Sequence, residues 1–281
     1  MRNLVLRARL LLRPVLAMAA LAGLATPGLA QRCVGVAQAP SSNPLVERVH
    51  GKHGTGTVRI DRSRLAQLAK DQVRLTFVGH ATFLIESPKG VSIVTDYNDY
   101  VRPNVVPDII TMNIAHDTHF THHPNPRIKH VLRGWNPAGG PAEHDLQYED
   151  VHVRNTVTNI RDYWNGGGTR EFGNSIFVFE IAGLCIAHLG HLHHTLTVQQ
   201  LGQIGQMDVL LVPVDGGYTL DLDGMMEVLK AIKAPLMIPM HMFSSYGLER
   251  FLRRVRSEFD VVDSATPTIT ISRNTLPTKQ Q

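Results

Sequence analysis

Histidine dominates the reactive chemistry of this chain: fifteen occur in 281 residues. They are clustered. His116 and His119 share one stretch, and His191, His193 and His194 follow one another directly behind a glycine. Neutral imidazole is the commonest protein ligand for transition metals. The run Ala182 to His194, AGLCIAHLGHLHH, carries Leu184, Ile186 and Leu189 on a short apolar strand into Gly190. A strand that delivers side chains through a glycine turn to a sheet edge is a rigid way to build a metal or catalytic site. These imidazoles are therefore expected to meet partners from distant segments at one mononuclear or polynuclear centre.

The elements that must position them can be read from the pattern. Val73–Val78 alternates, a second strand follows Gly79 up to Glu86, and Ser87-Pro-Lys-Gly90 is turn chemistry before a third strand, Val91–Thr95, ending in Asp96. This makes an antiparallel start. Pro107–Asn113 is apolar enough for a strand buried on both faces, and it feeds the histidine-rich loop. Residues 151–158, 175–181, 184–187, 209–214, 236–240 and 268–272 read as further strands. Residues 196–204, 223–233 and 246–258 read as helices, the first capped by Thr195 or Thr197. Strands followed by alternating helix and strand, with no fixed repeat, predict a layered α/β sandwich in one domain.

Residues 1–30 read as an export leader, with Arg2, Arg7, Arg9 and Arg13 before an apolar run and Gly28-Leu-Ala30 as the cleavage pattern. The expectation is an exported protein, periplasmic or secreted, with membrane contact only if the leader stays uncleaved. The leader also carries the charge. The whole chain has 28 basic and 24 acidic residues, so removing four arginines leaves 24 against 24. A neutral mature chain gives no footprint for nucleic acid. Residues 31–72 read as a linker or loosely packed arm. Of the two cysteines, Cys185 lies in an apolar strand and Cys33 in that arm, which favours an unpaired, buried Cys185.

Val78-Gly-His-Ala-Thr-Phe-Leu-Ile-Glu86, Asp96, the loop after Pro107-Asp108, Val212-Pro-Val-Asp-Gly-Gly-Tyr-Thr-Leu220 and Ile238-Pro-Met-His241 resemble the metallo-β-lactamase superfamily over residues 73–245. The nearest branch by these motifs is that of ascorbate-phosphate lactonase-like and N-acyl-phosphatidylethanolamine phospholipase D-like hydrolases. The resemblance implies a four-layer αββα sandwich with a metal site in a cleft at one sheet edge. It also exposes departures. In the family's H-x-H-x-D-H signature the first histidine falls on Ile114 and the aspartate on Thr118; only His116 and His119 keep their type. A later histidine is replaced by Asn159 or Arg161, the bridging aspartate falls at Gly190-His191, and the final histidine matches His241.

The resemblance thus implies His116, His119, His191 and His241 as ligands of a single ion, with His193 as the alternative to His191. Zinc is the first expectation, with an open position for water. The carboxylate-poor set would also suit copper, nickel or iron. Asp117 is the first candidate to orient or deprotonate that water, and Asp215 the second. His80 is expected as a core hydrogen bond or prop, and Asp96 as an orienter or a loop cap. His122, His123, His130, His144 and His152 read as structural. The implied activity is metal-dependent hydrolysis of a small ester, lactone, amide or phosphodiester. The competing reading is a non-catalytic metal- or ligand-binding protein on the same scaffold. Loops at Arg133–Asn136 and Tyr163–Gly168 hold the two tryptophans that would shape a cleft. Oligomeric state is left open.

Overall fold

Alternation along the strands decides what each face buries. Phe83 and Ile85 point to one side and Leu84 to the other, and each lies fully inside. The computed structural model describes residue 33 and residues 45–49, 56–58, 67–162 and 167–277. The expected leader therefore lies outside the described residues.

The described strands are β1 (Leu45–Val49), β2 (Gly56–Val58), β3 (Gln72–Gly79), β4 (Thr82–Glu86), β5 (Ser92–Val94), β6 (Val101–Pro103), β7 (Ile109–Met112) and β8 (His130–Arg133). They continue with β9 (Asp145–Tyr148), β10 (Val151–Arg161), β11 (Thr169–Ile181), β12 (Leu184–His188), β13 (Val209–Pro213), β14 (Leu236–Met240), β15 (Asp260–Ser264) and β16 (Thr268–Ser272). The helices are α1 (Val198–Ile204), α2 (Leu222–Ile232) and α3 (Ser245–Val255). One sheet has the order β15-β1-β14-β13-β12-β11-β10-β9, the other β16-β3-β4-β5-β7-β8, and β2 pairs with β6 alone.

The two large sheets pack face to face. Leu75, Phe77, Phe83 and Ile93 of the smaller sheet share one core with Val153, Phe177, Phe179 and Ile186 of the larger. The opposite-facing residues Leu84, Val94 and Ile110 form a second cluster, with Phe120, Val131 and Trp135 packed against it. Helices α2 and α3 bury Met225, Met226, Val228 and Leu229, and Leu248, Phe251, Leu252 and Val255. Thr197 caps α1 in a reciprocal capping box with Gln200. The α/β sandwich is the expected one.

Two expectations are corrected. The arm at 31–72 contributes β1 to the large sheet, paired in parallel with both β14 and β15. Parallel partners lie far away in sequence, so no local turn signal announces them. And Cys185 is not a free thiol, because it is bonded to Cys33 across 152 residues.

Candidate metal centre

The histidine-rich loop leaves β7 and makes a single 3₁₀ turn, Asp117–His119, with His116 at its N-cap. Three residues per turn place His116 and His119 on one side, and their ring centroids lie 4.4 Å apart. Asp117 is thereby turned away. Its exposed carboxylate accepts from the Tyr100 hydroxyl at 2.9 Å instead of facing the imidazoles, as a base for the site would have to.

His191 arrives from β12 through Gly190, which has φ +62°. A Cβ at that glycine would lie 2.3 Å from Asn174 Oδ1 and 2.7 Å from Asn113 Nδ2. The same Asn174 oxygen accepts from the His191 amide at 2.8 Å, so the packing that forbids a side chain also aims the histidine. His241 follows β14, and its amide donates to the His80 carbonyl at 2.7 Å. His80 (φ +51°), Asp96 (φ +44°) and His241 (φ +55°) all lie in the left-handed region. Non-glycine residues persist there only when their surroundings hold them, and here three of them ring one point.

His116, His119, His191 and His241 converge. Every pair of these rings stands between 4.4 and 5.8 Å, centroid to centroid. His80 joins from the β3–β4 turn, 4.3 Å from the His241 ring. Ligand-capable atoms of His80, His116, His119 and His241 all lie within 4.8 Å of one another. His80 is the member that sequence reasoning did not count as a ligand. The available signal was its place at a strand end immediately after a glycine.

Two carboxylates set the orientation of the rings. Asp215 accepts from the amides of Gly217 and Tyr218, from the Thr219 hydroxyl and from His241 Nδ1 at 2.9 Å. Burial alone would raise this carboxyl, but the His241 contact and the Thr219 and Gly217 hydrogen bonds hold it well below the ordinary carboxylate range. An ionised Asp215 can only accept, so His241 Nδ1 carries a proton, and the neutral ring then presents its lone pair at Nε2. With its acceptor capacity used in this way, Asp215 is an orienter of His241 and has nothing left with which to act as a base. On the other side Asp96 contacts His119 Nδ1 and accepts from Asn113 at 3.0 Å. Burial pushes the Asp96 carboxyl up and the His119 imidazolium down.

This arrangement fits a cation. His119 Nε2 and His241 Nε2 face each other at 3.1 Å, both side chains being buried. Two bare ring nitrogens repel at this distance, so that gap must hold either a proton, on His119 or on His241, or a positive ion. Neutral imidazoles oriented by hydrogen-bonded carboxylates are the usual support of a metal ligand set.

His193 does not join the ring. It stands behind His191, its Nε2 against His191 Nδ1, while its own Nδ1 accepts from the Arg161 amide at 2.6 Å. His188 is a strut: Nε2 donates to the Ala81 carbonyl at 2.8 Å and Nδ1 accepts from the Gly190 amide at 3.1 Å. His144 Nε2 donates to the Arg133 carbonyl at 2.7 Å, and the His144 amide donates to Asn155 Oδ1 at 2.8 Å. Trp135 lines a separate pocket with His144. Trp164 lies outside the described residues.

Burial pulls His188 down to about 4, His116 to about 4 and His80 to about 2, and holds His119 and His191 well below the ordinary imidazole value. Each stays neutral in the fold and takes a proton in the unfolded chain below about pH 6.5, so stability falls as pH falls through that value. His188 alone, fully buried, contributes about 3 kcal/mol between its two values. The raised carboxyl of Asp96 opposes only one of these groups. Thermal melts of the metal-free protein from pH 7.5 to 5 should show a steep loss of Tm; a flat profile would refute the neutral-imidazole assignment.

A cavity of about 870 Å³ opens on the cluster, lined by His116, His191 and His193 with Ile160, Tyr218 and Phe243, and with Arg161 and Arg170 at its wall.

Residues 74–241 match the model of the β-lactamase superfamily domain. The chain is 28% identical over 205 residues to a UPF0173 metal-dependent hydrolase of Thermoplasma acidophilum, covering 64% of this chain and 87% of that one. It is 25% identical over 220 residues to another from Pelotomaculum thermopropionicum, covering 69% and 93%. Among solved structures, it is similar to a protein of Thermotoga maritima provisionally described as a Zn-dependent hydrolase of the metallo-β-lactamase superfamily. The TM-score is 0.55 at 28% identity, over 74% of this chain and 96% of that one.

Proposed function

Because the chain belongs to the β-lactamase superfamily, we propose that it is a metal-dependent hydrolase of a small molecule, holding one divalent cation through His116, His119 and His241 with His80 in reach. The observation that carries this is the 3.1 Å approach of His119 Nε2 to His241 Nε2, with Asp215 fixing the lone pair of His241. Zinc is the first choice of ion, as the imidazole set permits. A bound cation of this kind polarises the electrophile and lowers the pKa of water. The chain's own residues do the rest. Asp96 and Asp215 orient two rings, and Thr118 accepts from His116 Nδ1 at 2.8 Å. Ile160, Tyr218 and Phe243 offer an apolar wall, and Arg170 a cationic rim, for an ester, lactone, amide or phosphodiester.

The finer likeness to the lactonase-like and phospholipase D-like branch rests on the motifs at Val78–Glu86 and Val212–Leu220 and belongs to this proposal. So does export to the periplasm or beyond, which the leader-like start and the Cys33–Cys185 disulfide both support, since disulfides persist in oxidising compartments.

Metal analysis after reconstitution should find about one equivalent, as a single set of imidazole ligands implies. Turnover on chromogenic esters or phosphodiesters should vanish together with the metal in His119→Ala and His241→Ala. Less than about a tenth of an equivalent would remove the metal reading, given how tightly such sets hold zinc. Full metal without turnover on any of these substrates would favour the non-catalytic binder.

A further inference from the structure

Resting on that hydrolase reading, we propose that His191 serves the site as a fixed N–H donor facing the cavity, not as a metal ligand, its tautomer dictated by the Arg161 amide through His193.

One chain of hydrogen bonds sets that tautomer, and its first link has no freedom. A backbone amide can only donate. The Arg161 amide lies 2.6 Å from His193 Nδ1, so that nitrogen is bare and His193 carries its proton on Nε2. His193 Nε2 contacts His191 Nδ1; a proton there as well would set two donors against each other, so His191 Nδ1 is bare too. Its one proton therefore sits on Nε2, the nitrogen that faces the cluster. That nitrogen lies 3.0 Å from His116 Nε2, and it donates to it.

The same direction continues onward. His116, accepting at Nε2, carries its proton on Nδ1 and donates to Thr118 Oγ1 at 2.8 Å, and the Thr118 hydroxyl donates to His80 Nε2 at 2.9 Å. Every link is satisfied with one proton per imidazole.

A ligand nitrogen must offer a lone pair, and in His191 the nitrogen aimed at the centre has none to offer. The contrast with His241 is physical. Its outer nitrogen faces the ionised Asp215, which calls for a proton on the outside and leaves the inner nitrogen for an ion, whereas the outer nitrogen of His191 faces another imidazole's N–H. At the position where the family resemblance places a bridging carboxylate, this chain therefore has a neutral donor. When a cation takes the His116 lone pair, the His191 N–H loses that acceptor and is left for a substrate oxygen in the cavity that His191 and His193 both line. A donor so placed acts on charge that develops during reaction.

The test reads the tautomer and the metal separately, on the full chain. Long-range ¹⁵N–¹H NMR of the metal-free and zinc-loaded protein should show His191 and His193 protonated on Nε2. Zinc stoichiometry should survive in His191→Gln and His191→Ala but not in His119→Ala. Turnover should drop by roughly 100-fold or more in His191→Ala, and by much less in His191→Gln, whose amide keeps a donor. An Nδ1-protonated His191, or loss of zinc in His191→Gln as complete as in His119→Ala, overturns the assignment. Failure of the unaltered protein to take zinc refutes the hydrolase reading, and the metal-free spectra still decide the tautomer.

Discussion

Reducing the Cys33–Cys185 disulfide is expected to cost about 5 kcal/mol of stability, the chain-entropy value for a loop of this size. The bond closes 152 residues, a loop that takes in strands of both large sheets. Its ends are firmly seated. Both cysteines are buried, the Cys33 carbonyl accepts from the Gln206 amide at 3.1 Å, and the Cys185 amide donates to Asp208 Oδ2 at 2.8 Å. No native contact has to be lost for the reduced chain to fold, so the whole effect should come from the freedom of the unfolded state. For a domain of this size that corresponds to a fall in Tm of roughly 10 to 20 °C. Melts with and without a phosphine reductant measure it, and Cys33→Ser without reductant should reproduce the shift. A change under about 2 °C, well below the 2 to 5 kcal/mol usual for native disulfides, would mean that the bond adds nothing to the fold.

The sequence could not reveal that bond, and the reason is informative. An apolar strand suits a buried thiol as well as a half-cystine, and no local pattern joins residues so far apart. The same blindness applies to β1, whose parallel neighbours β14 and β15 come from the far end of the chain. What was legible was periodic or punctuated: the β3–β4–β5 meander, β12 running into Gly190, and α3 with Leu248, Phe251, Leu252 and Val255 inward.

At the site, residue type announced the imidazoles, and their convergence follows from the topology that places β7, β12 and β14 at one end. Function within the cluster was less readable, because it depends on the direction in which each ring is hydrogen-bonded. Asp117 looked like a base by proximity in sequence, but the 3₁₀ turn points it at Tyr100. Asp215 looked like a base by type, but four other donors besides His241 hold it, the Thr219 amide at 3.2 Å among them. His80 reads as a prop in the sequence, and the structure sets it within 4.8 Å of the His116, His119 and His241 nitrogens that could hold an ion.

Loading the metal-free protein with zinc at a thousandfold excess over Kd is expected to raise its stability by about 4 kcal/mol, or Tm by on the order of 10 °C. The cation binds only the folded arrangement, since its donors come from segments spread over residues 80 to 241. It also replaces whatever proton lies in the 3.1 Å gap between His119 Nε2 and His241 Nε2. Uptake should therefore release protons into a weakly buffered solution, and affinity should rise with pH. Asp215→Asn tests the cause. The Asp215 oxygen nearest His241 receives both the Thr219 hydroxyl and His241 Nδ1. An amide nitrogen there would confront two donors, and an amide oxygen there would place the nitrogen against the Gly217 and Tyr218 amides. Relief comes most simply if His241 moves its proton to Nε2, which removes the lone pair the ion needs. Zinc affinity should then fall by roughly 10- to 100-fold, and the metal-induced rise in Tm should shrink with it. Calorimetric titration at two pH values separates the cases. Equal zinc affinity in Asp215→Asn and the parent would show that the carboxylate does not set the tautomer, and the lone-pair argument for the centre would go with it.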